Sequence, residues 1–263
     1  MTVPRAIWTG SITFGLVTVP VGLFSATEDH TVHFHQYQRG TTDRIRYLRV
    51  NERTGDEVPF SEIVRGHDEG DGQTIIIDPG ELDEIAPGRS RSIDVTAFVD
   101  LDEIDPIYFQ KTYWLAPHKQ ENGKVYALLA ASMEAANRVA MANFVMRGKQ
   151  YLCAVRAEGG VLSLETLYYA DEIRDPHDQL DNLPERADES GKEFDMARTL
   201  IESMSAPWRP EDYQDTYTER VRELIEDKRA GNEVVAQEAP PAATDVTDLL
   251  EALQRSVEAR RAS

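Results

Sequence analysis

The sequence predicts a mixed β/α fold, a barrel-like β core followed by helices, and three observations carry that prediction. An uncharged stretch with strand periodicity opens the chain. Short alternating runs separated by glycine turns continue through "VLSLETLYY". From Ser190 the apolar spacing becomes helical. Across 263 residues, 41% hydrophobic and 8% aromatic content suffices for one large or two small domains with a real core.

The opening stretch, "RAIWTGSITFGLVTVPVGLFSATEDH", has no charge between Arg5 and Glu28. Thr9, Gly10, Ser11, Thr13, Thr18, Pro20 and Gly22 interrupt it, so it lacks the roughly 18 consecutive apolar residues of a membrane span. It also lacks the basic, apolar and cleavage regions of a secretory signal. Trp8, Ile12, Phe14 and Leu16 alternate with polar residues, then Val17, Val19, Val21 and Leu23 continue on the opposite parity. A period of two that slips by one residue predicts a long strand bent through a bulge, as in barrel walls.

"TVHFHQY", "RIRYLRV" and "QTIIIDP" read as further strands, with turns at "ERTGDEVP" and "HDEGDGQ". "PGELDEIAP" predicts a short acidic helix. "RSIDVTAFVDLDEIDPIYFQKTYWLAP" predicts strands divided at Asp105-Pro106. Val125, Leu128, Leu129, Ser132, Met133 and Ala136 share one face of an amphipathic helix. "ANFVMRGKQYLCAVRAEGGVLSLETLYY" predicts three strands turning at Gly148 and Gly159-Gly160. Ser190 and Glu193 read as the capping box of a helix bearing Phe194, Ala197, Leu200, Ile201 and Met204. A second helix is placed from Pro210 to Gly231, with Tyr213, Tyr217, Val221, Leu224 and Ile225. Residues 232–244 form a linker. Residues 245–263 form a short amphipathic helix with Val246, Leu249, Leu250, Leu253 and Val257 on one face.

A formal net charge of -19 argues against a nucleic-acid partner, but the charge is unevenly spread. Residues 61–110 hold 3 Lys/Arg against 13 Asp/Glu, and residues 161–235 hold 9 against 20. Residues 111–160 hold 7 against 3, and Arg39, Arg44, Arg46, Arg49 and Arg53 face only Asp43 and Glu52 within 39–53. Two basic islands therefore sit in an acidic chain. They are either ordinary solvated faces or one basic surface assembled from both.

The single cysteine, Cys153, excludes an internal disulfide framework and reads as a small buried hydrophobe. With no export signal, the chain reads as cytoplasmic. Phosphate loops, dinucleotide fingerprints and nucleophile elbows are all missing. "HDEGDG" fails the spacing of a calcium loop, with Pro79 where the last ligand would stand. His33 and His35 share a strand face with His30 near, as metal ligands would. No third ligand is evident, so ordinary strand and turn histidines are the preferred reading. On its residues the chain is not expected to be an enzyme.

The ordered series "RAIWTGSITFGLVTVPVGLFSATE", "RIRY", "GDEVP", "IVRGHDEGDGQ", "SRSIDVTAFVDLDEIDPIYFQKTYWLAP", "NFVMRGKQYLCAVR", "VLSLETLYYADEIRD" and "WRPEDYQDTYTERVRELIEDKRAG" resembles the bacterial Ku family over roughly residues 3 to 231. The resemblance implies a barrel of seven or eight strands, with bridge strands forming half of a dimeric ring and a C-terminal helical arm. Domains follow: 1–189 barrel and bridge, 190–231 an arm packing on the dimer partner, 232–244 linker, 245–263 terminal helix. It implies a homodimer that binds double-stranded DNA ends without sequence preference. It also implies recruitment of an ATP-dependent DNA ligase for non-homologous end joining in the cytoplasm, at the nucleoid.

By the same resemblance Arg44, Arg46, Arg49 and Arg53 lie on the bridge over the duplex, and Arg147 and Lys149 in the cradle beneath it. Lys124, Arg138 and Arg156 of the second island join them as DNA-binding residues. Leu249, Leu250, Leu253 and Val257 would meet the ligase. Some relatives carry a CxxC zinc pair where this chain reads "VNERTG", so no zinc and no cofactor are expected. Arg255, Arg260 and Arg261 make a weak counterpart to the Lys-rich tail of other relatives, so tail-dependent DNA bridging is not implied.

Overall fold

The computed structural model describes residues 5–70, 72–85, 91–186, 189–231 and Arg255. The linker over 232–244 and the terminal helix, with Leu249, Leu250, Leu253 and Val257, lie outside the described residues. In chain order the strands and helices are β1 (Trp8–Phe14), β2 (Val17–Ser25), β3 (Arg65–Asp68), β4 (Thr74–Ile77), α1 (Pro79–Ile85), β5 (Ser92–Val99), β6 (Phe109–Pro117) and α2 (Gly123–Ala136). They continue with β7 (Val139–Met146), β8 (Lys149–Glu158), β9 (Val161–Leu167), α3 (Pro176–Gln179), α4 (Lys192–Met204) and α5 (Thr216–Ala230). Two compact units result: residues up to Asp29 with His35–Asp175, and His30–Phe34 with the chain from Pro176.

The first unit is a closed barrel of seven strands in the order β1-β2-β6-β9-β8-β7-β5, as the sequence implied. The opening stretch is not one bent strand, however. β1 and β2 are an antiparallel hairpin turning at Gly15 and Leu16, with Phe14 paired to Val17 and Ile12 to Val19. A two-residue turn pairs even positions with odd ones, and paired residues share a face. The phase slip was therefore a hairpin, and positive φ at Gly15 (58°) suits its first turn position. The barrel closes where β1 meets β5 in parallel. Gly10 permits that closure, since a Cβ there would stand 2.0 Å from the Arg91 carbonyl oxygen and 2.1 Å from the Trp8 ring.

The register distinguishes the two ends of the barrel. At one end lie the β1–β2 turn, the end of β6, the start of β7 and the β8–β9 turn. Here α2 forms a lid, burying Tyr126, Leu129, Ala130 and Met133 among the barrel residues. The Tyr126 hydroxyl donates to the Leu115 carbonyl (2.7 Å) and accepts from the Leu162 amide (2.8 Å), tying the lid to β6 and β9. The expected apolar face of α2 is rotated: Val125 and Leu128 stay exposed, because Tyr126 and the small Ala130 face the barrel instead.

At the other end β2 finishes, β5 and β6 begin, and β7 turns into β8. An aromatic cluster closes the interior here. Trp8 meets Phe144 edge-on at 5.8 Å, and Phe144 stacks on Tyr151 at 5.5 Å. The Trp8 indole N–H donates to the Val145 carbonyl at 2.9 Å. Cys153 is fully buried, and its thiol donates to the Ala142 carbonyl (3.4 Å).

Residues 26–91, which include the first basic island, leave the barrel after β2 and return at β5, both at this second end. The strands expected at "TVHFHQY" and "RIRYLRV" reduce to isolated bridges, Tyr37 with Arg44 and Val50 with Glu57. None of the described residues from 26 to 77 is buried, so no third layer among them supports a longer ribbon. The turn at Asn51 is as expected. Its side-chain oxygen accepts from the amides of Arg53 (3.0 Å) and Thr54 (3.2 Å), and Gly55 has φ 77°. The β3–β4 hairpin and α1 form where the sequence placed them.

In the second unit the boundaries shift. α4 is capped by Gly191 with φ 105° and no side-chain cap bond, not by a Ser190 capping box. Pro210 opens only a 3₁₀ turn, where Trp208 stacks on Tyr213 at 4.9 Å. α5 starts six residues later, because the Asp215 carboxylate accepts from the Thr218 amide (3.0 Å) and makes a better N-cap. Those bonds hold the Asp215 carboxyl below its ordinary pKa.

Candidate nucleic-acid interface

The nine cations singled out from the sequence divide between the two ends. Arg44, Arg46, Arg49 and Arg53 ride on the excursion rooted at the second end, called the open end because it lacks the α2 lid, and Arg147 and Lys149 flank the β7–β8 turn at that same end. Lys124 opens α2 at the lidded end. Arg138 precedes β7 and Arg156 approaches the end of β8, also at the lidded end.

Ion pairing reinforces the division. Arg138 binds Asp100 at 2.6 Å. Arg156 lies 3.5 Å from both Glu158 and Glu165. Glu165 is buried on the outer wall, where it also accepts from the Ser163 hydroxyl (2.9 Å). Burial raises its pKa, while Ser163 and Arg156 oppose the rise. Both arginines are held by carboxylates, Arg138 by one 38 residues earlier and Arg156 by two that follow it on β8 and β9.

The open-end cations are held differently. Arg49 lies over the Phe60 ring at 5.3 Å, and Lys149 over Tyr151 at 5.3 Å. Arg44 Nη2 lies 2.9 Å from His35 Nδ1. These partners orient a cation without neutralising it. His35 thus has a role the sequence did not show. Among the described residues no group of three His, Cys, Asp or Glu side chains is disposed to hold a metal ion.

Arg147 carries the clearest backbone signal. It adopts φ 54° and Gly148 φ 74°, the pair of positive angles of a type I′ turn that Asn-Gly would fill without strain. A non-glycine residue in this region costs on the order of 1 kcal/mol. The turn thus presents an arginine at the tip of the hairpin at a backbone cost.

Lys111 is a cation that sequence reasoning passed over. It sits at the start of β6, at the open end, with its ammonium 5.6 Å from the Tyr113 ring centroid. Only closure of the sheet brings it to the same end as Arg147 and Lys149, since it lies far from both along the chain.

Residues 13–196 match the family model of the Ku70/Ku80 beta-barrel domain. The chain is 57% identical over 258 residues to "Non-homologous end joining protein Ku 1" of Saccharopolyspora erythraea, covering 98% of this chain and 79% of that one. It is 53% identical to "Non-homologous end joining protein Ku 3" of the same organism, covering 95% of each. "Non-homologous end joining protein Ku" of Mycobacterium tuberculosis is 39% identical, with 97% and 96% covered. None of these relatives carries an enzyme's name.

Proposed function

This chain belongs to the bacterial Ku family, and from that premise we propose that it binds the ends of double-stranded DNA without reading their sequence. It acts as a ring-shaped homodimer and recruits an ATP-dependent DNA ligase for non-homologous end joining, as a cytoplasmic, nucleoid-associated protein. The observation that carries the reading is that the excursion bearing the first basic island is rooted at the same barrel end as Arg147 and Lys149 of the second, in a chain of net charge -19. Phosphate contacts position a protein on DNA without selecting bases. An acidic surface elsewhere would repel the side of a duplex and favour engagement through a cationic lining.

The homodimer is supported by the second unit. No residue of α4 is buried, although the helix presents Ile201 (67% exposed) and Met204 (56%), and Trp208 nearby is 74% exposed. An apolar face of this size needs a cover, and residues 190–231 would find it on the partner subunit. The ligase reading rests on the stripe of Leu249, Leu250, Leu253 and Val257, tethered by 232–244 and suited to a groove on a partner. Deleting residues 236–263 should leave DNA-end binding intact and abolish stimulation of the cognate ligase. Changing Leu249, Leu250 and Leu253 to alanine should do the same.

The deciding experiment compares linear with covalently closed circular duplex of one sequence. The proposal expects stable complexes on the linear form only. Equal binding to both would replace the ring with an ordinary side-on DNA binder.

A further inference from the structure

Lys111 follows an irregularity in the β6–β9 register between Phe109 and Lys111, and such bulges re-aim a side chain at a barrel rim. The Thr166 hydroxyl donates to the Lys111 carbonyl at 3.3 Å and fixes its backbone. The ammonium lies over Tyr113, two residues on, while that of Lys149 lies over Tyr151, also two residues on. The tyrosine rings belong to the aromatic end of the barrel core, so each lysine stem rises from the interior and carries its charge to the rim. Burial raises the pKa of the Tyr113 hydroxyl, Tyr151 raises it further and Arg147 lowers it, which brings all three side chains into one electrostatic neighbourhood.

Among the described residues, Lys111, Arg147 and Lys149 form no ion pair with a carboxylate, unlike Arg138 and Arg156. A tyrosine face steadies an ammonium without consuming its N–H donors. We infer that Lys111, Arg147 and Lys149 form a single phosphate-binding rim at the open end, with Lys111 a DNA contact in its own right. The ligand is the backbone phosphate of duplex DNA, and the inference rests on the DNA-binding reading above.

The test measures binding of a fluorescent linear duplex across a salt series, with thermal melts of each variant to establish folding. Lys111→Gln should weaken binding several-fold for unrelated sequences and reduce the slope of log affinity against log salt by about one, the loss of one phosphate contact. Lys111→Arg should restore both, which a merely structural role for the lysine would not predict. Lys111→Glu should weaken binding further; if it fails to fold, the Gln and Arg variants carry the test alone. Wild-type affinity and slope in Lys111→Gln, with binding lost in the Arg147→Glu/Lys149→Glu double variant, would overturn the place of Lys111 and leave the DNA reading standing. Wild-type binding in all of them would overturn the reading itself.

Discussion

The two ends of the barrel are made of the same seven strands yet are finished in opposite ways. At the lidded end α2 seals the interior, and its cations Arg138 and Arg156 are tied to Asp100, Glu158 and Glu165. At the open end aromatic rings close the interior, and the cations above them rest on rings. Charge at the lidded end is used to satisfy buried and neighbouring carboxylates. At the open end it stays available. Net charge and island counts cannot distinguish these situations; the identity of each cation's neighbour does.

The lidded end should be tested through stability, where the largest effect is expected. Leu129→Ala removes a buried side chain from the lid and should cost about 2–5 kcal/mol. Measured by denaturant unfolding, that loss should leave the salt slope of DNA binding unchanged. A changed slope would mean that the lid belongs to the DNA surface.

Charge reversal separates the ends directly. Arg147→Glu with Lys149→Glu should reduce affinity for linear duplex at least tenfold, about 1.4 kcal/mol or more, on every sequence tried. Lys124→Glu at the lidded end should stay within twofold. Equal losses from both would dissolve the distinction.

A smaller effect, with two signs, is expected at the hairpin tip. Arg147→Asn places a residue that tolerates positive φ and should stabilise the fold by up to about 1 kcal/mol while weakening DNA binding. Melting temperature and duplex affinity, measured on one preparation, should move in opposite directions. If stability and affinity fell together, the strain would have no functional counterpart.

The smallest effect concerns Glu165. Its folded pKa is raised by burial, so the protonated form is favoured in the fold. Its contribution to stability is fully present below the ordinary glutamate pKa and is lost as pH rises through the raised value. Glu165→Gln should flatten the stability profile in that acidic window, followed by thermal melts. An unchanged profile would show that Arg156 already compensates the carboxylate.

Much of this architecture is legible in the sequence because it is written locally. Strands β5 to β9 follow from alternation and glycine turns, and Arg147 and Lys149 are visible as flanks of one such turn. What was not legible depends on distant partners. The hairpin of β1 and β2 looks like a bent strand until pairing is known. The segments carrying the Tyr37–Arg44 and Val50–Glu57 pairs have β composition, but no buried layer among the described residues lies behind them to extend a ladder. α2 turns toward Tyr126 because its hydroxyl reaches two strands that only the closed barrel brings together. Arg156 looks like any exposed arginine until Glu165 is seen beside it, and Lys111 joins the rim only through the register of β6.

The central claim, that duplex DNA meets the open end of the barrel, is tested most directly by site-specific crosslinking. The native Cys153 is buried, and burial pushes its thiol pKa up, so a photo-crosslinker can be directed to a new cysteine. Lys149→Cys and Lys124→Cys proteins, each labelled and irradiated with a linear duplex, give one reporter per end. The account predicts efficient crosslinking from position 149 and none above background from position 124. Crosslinking from 124 in preference to 149 would contradict it.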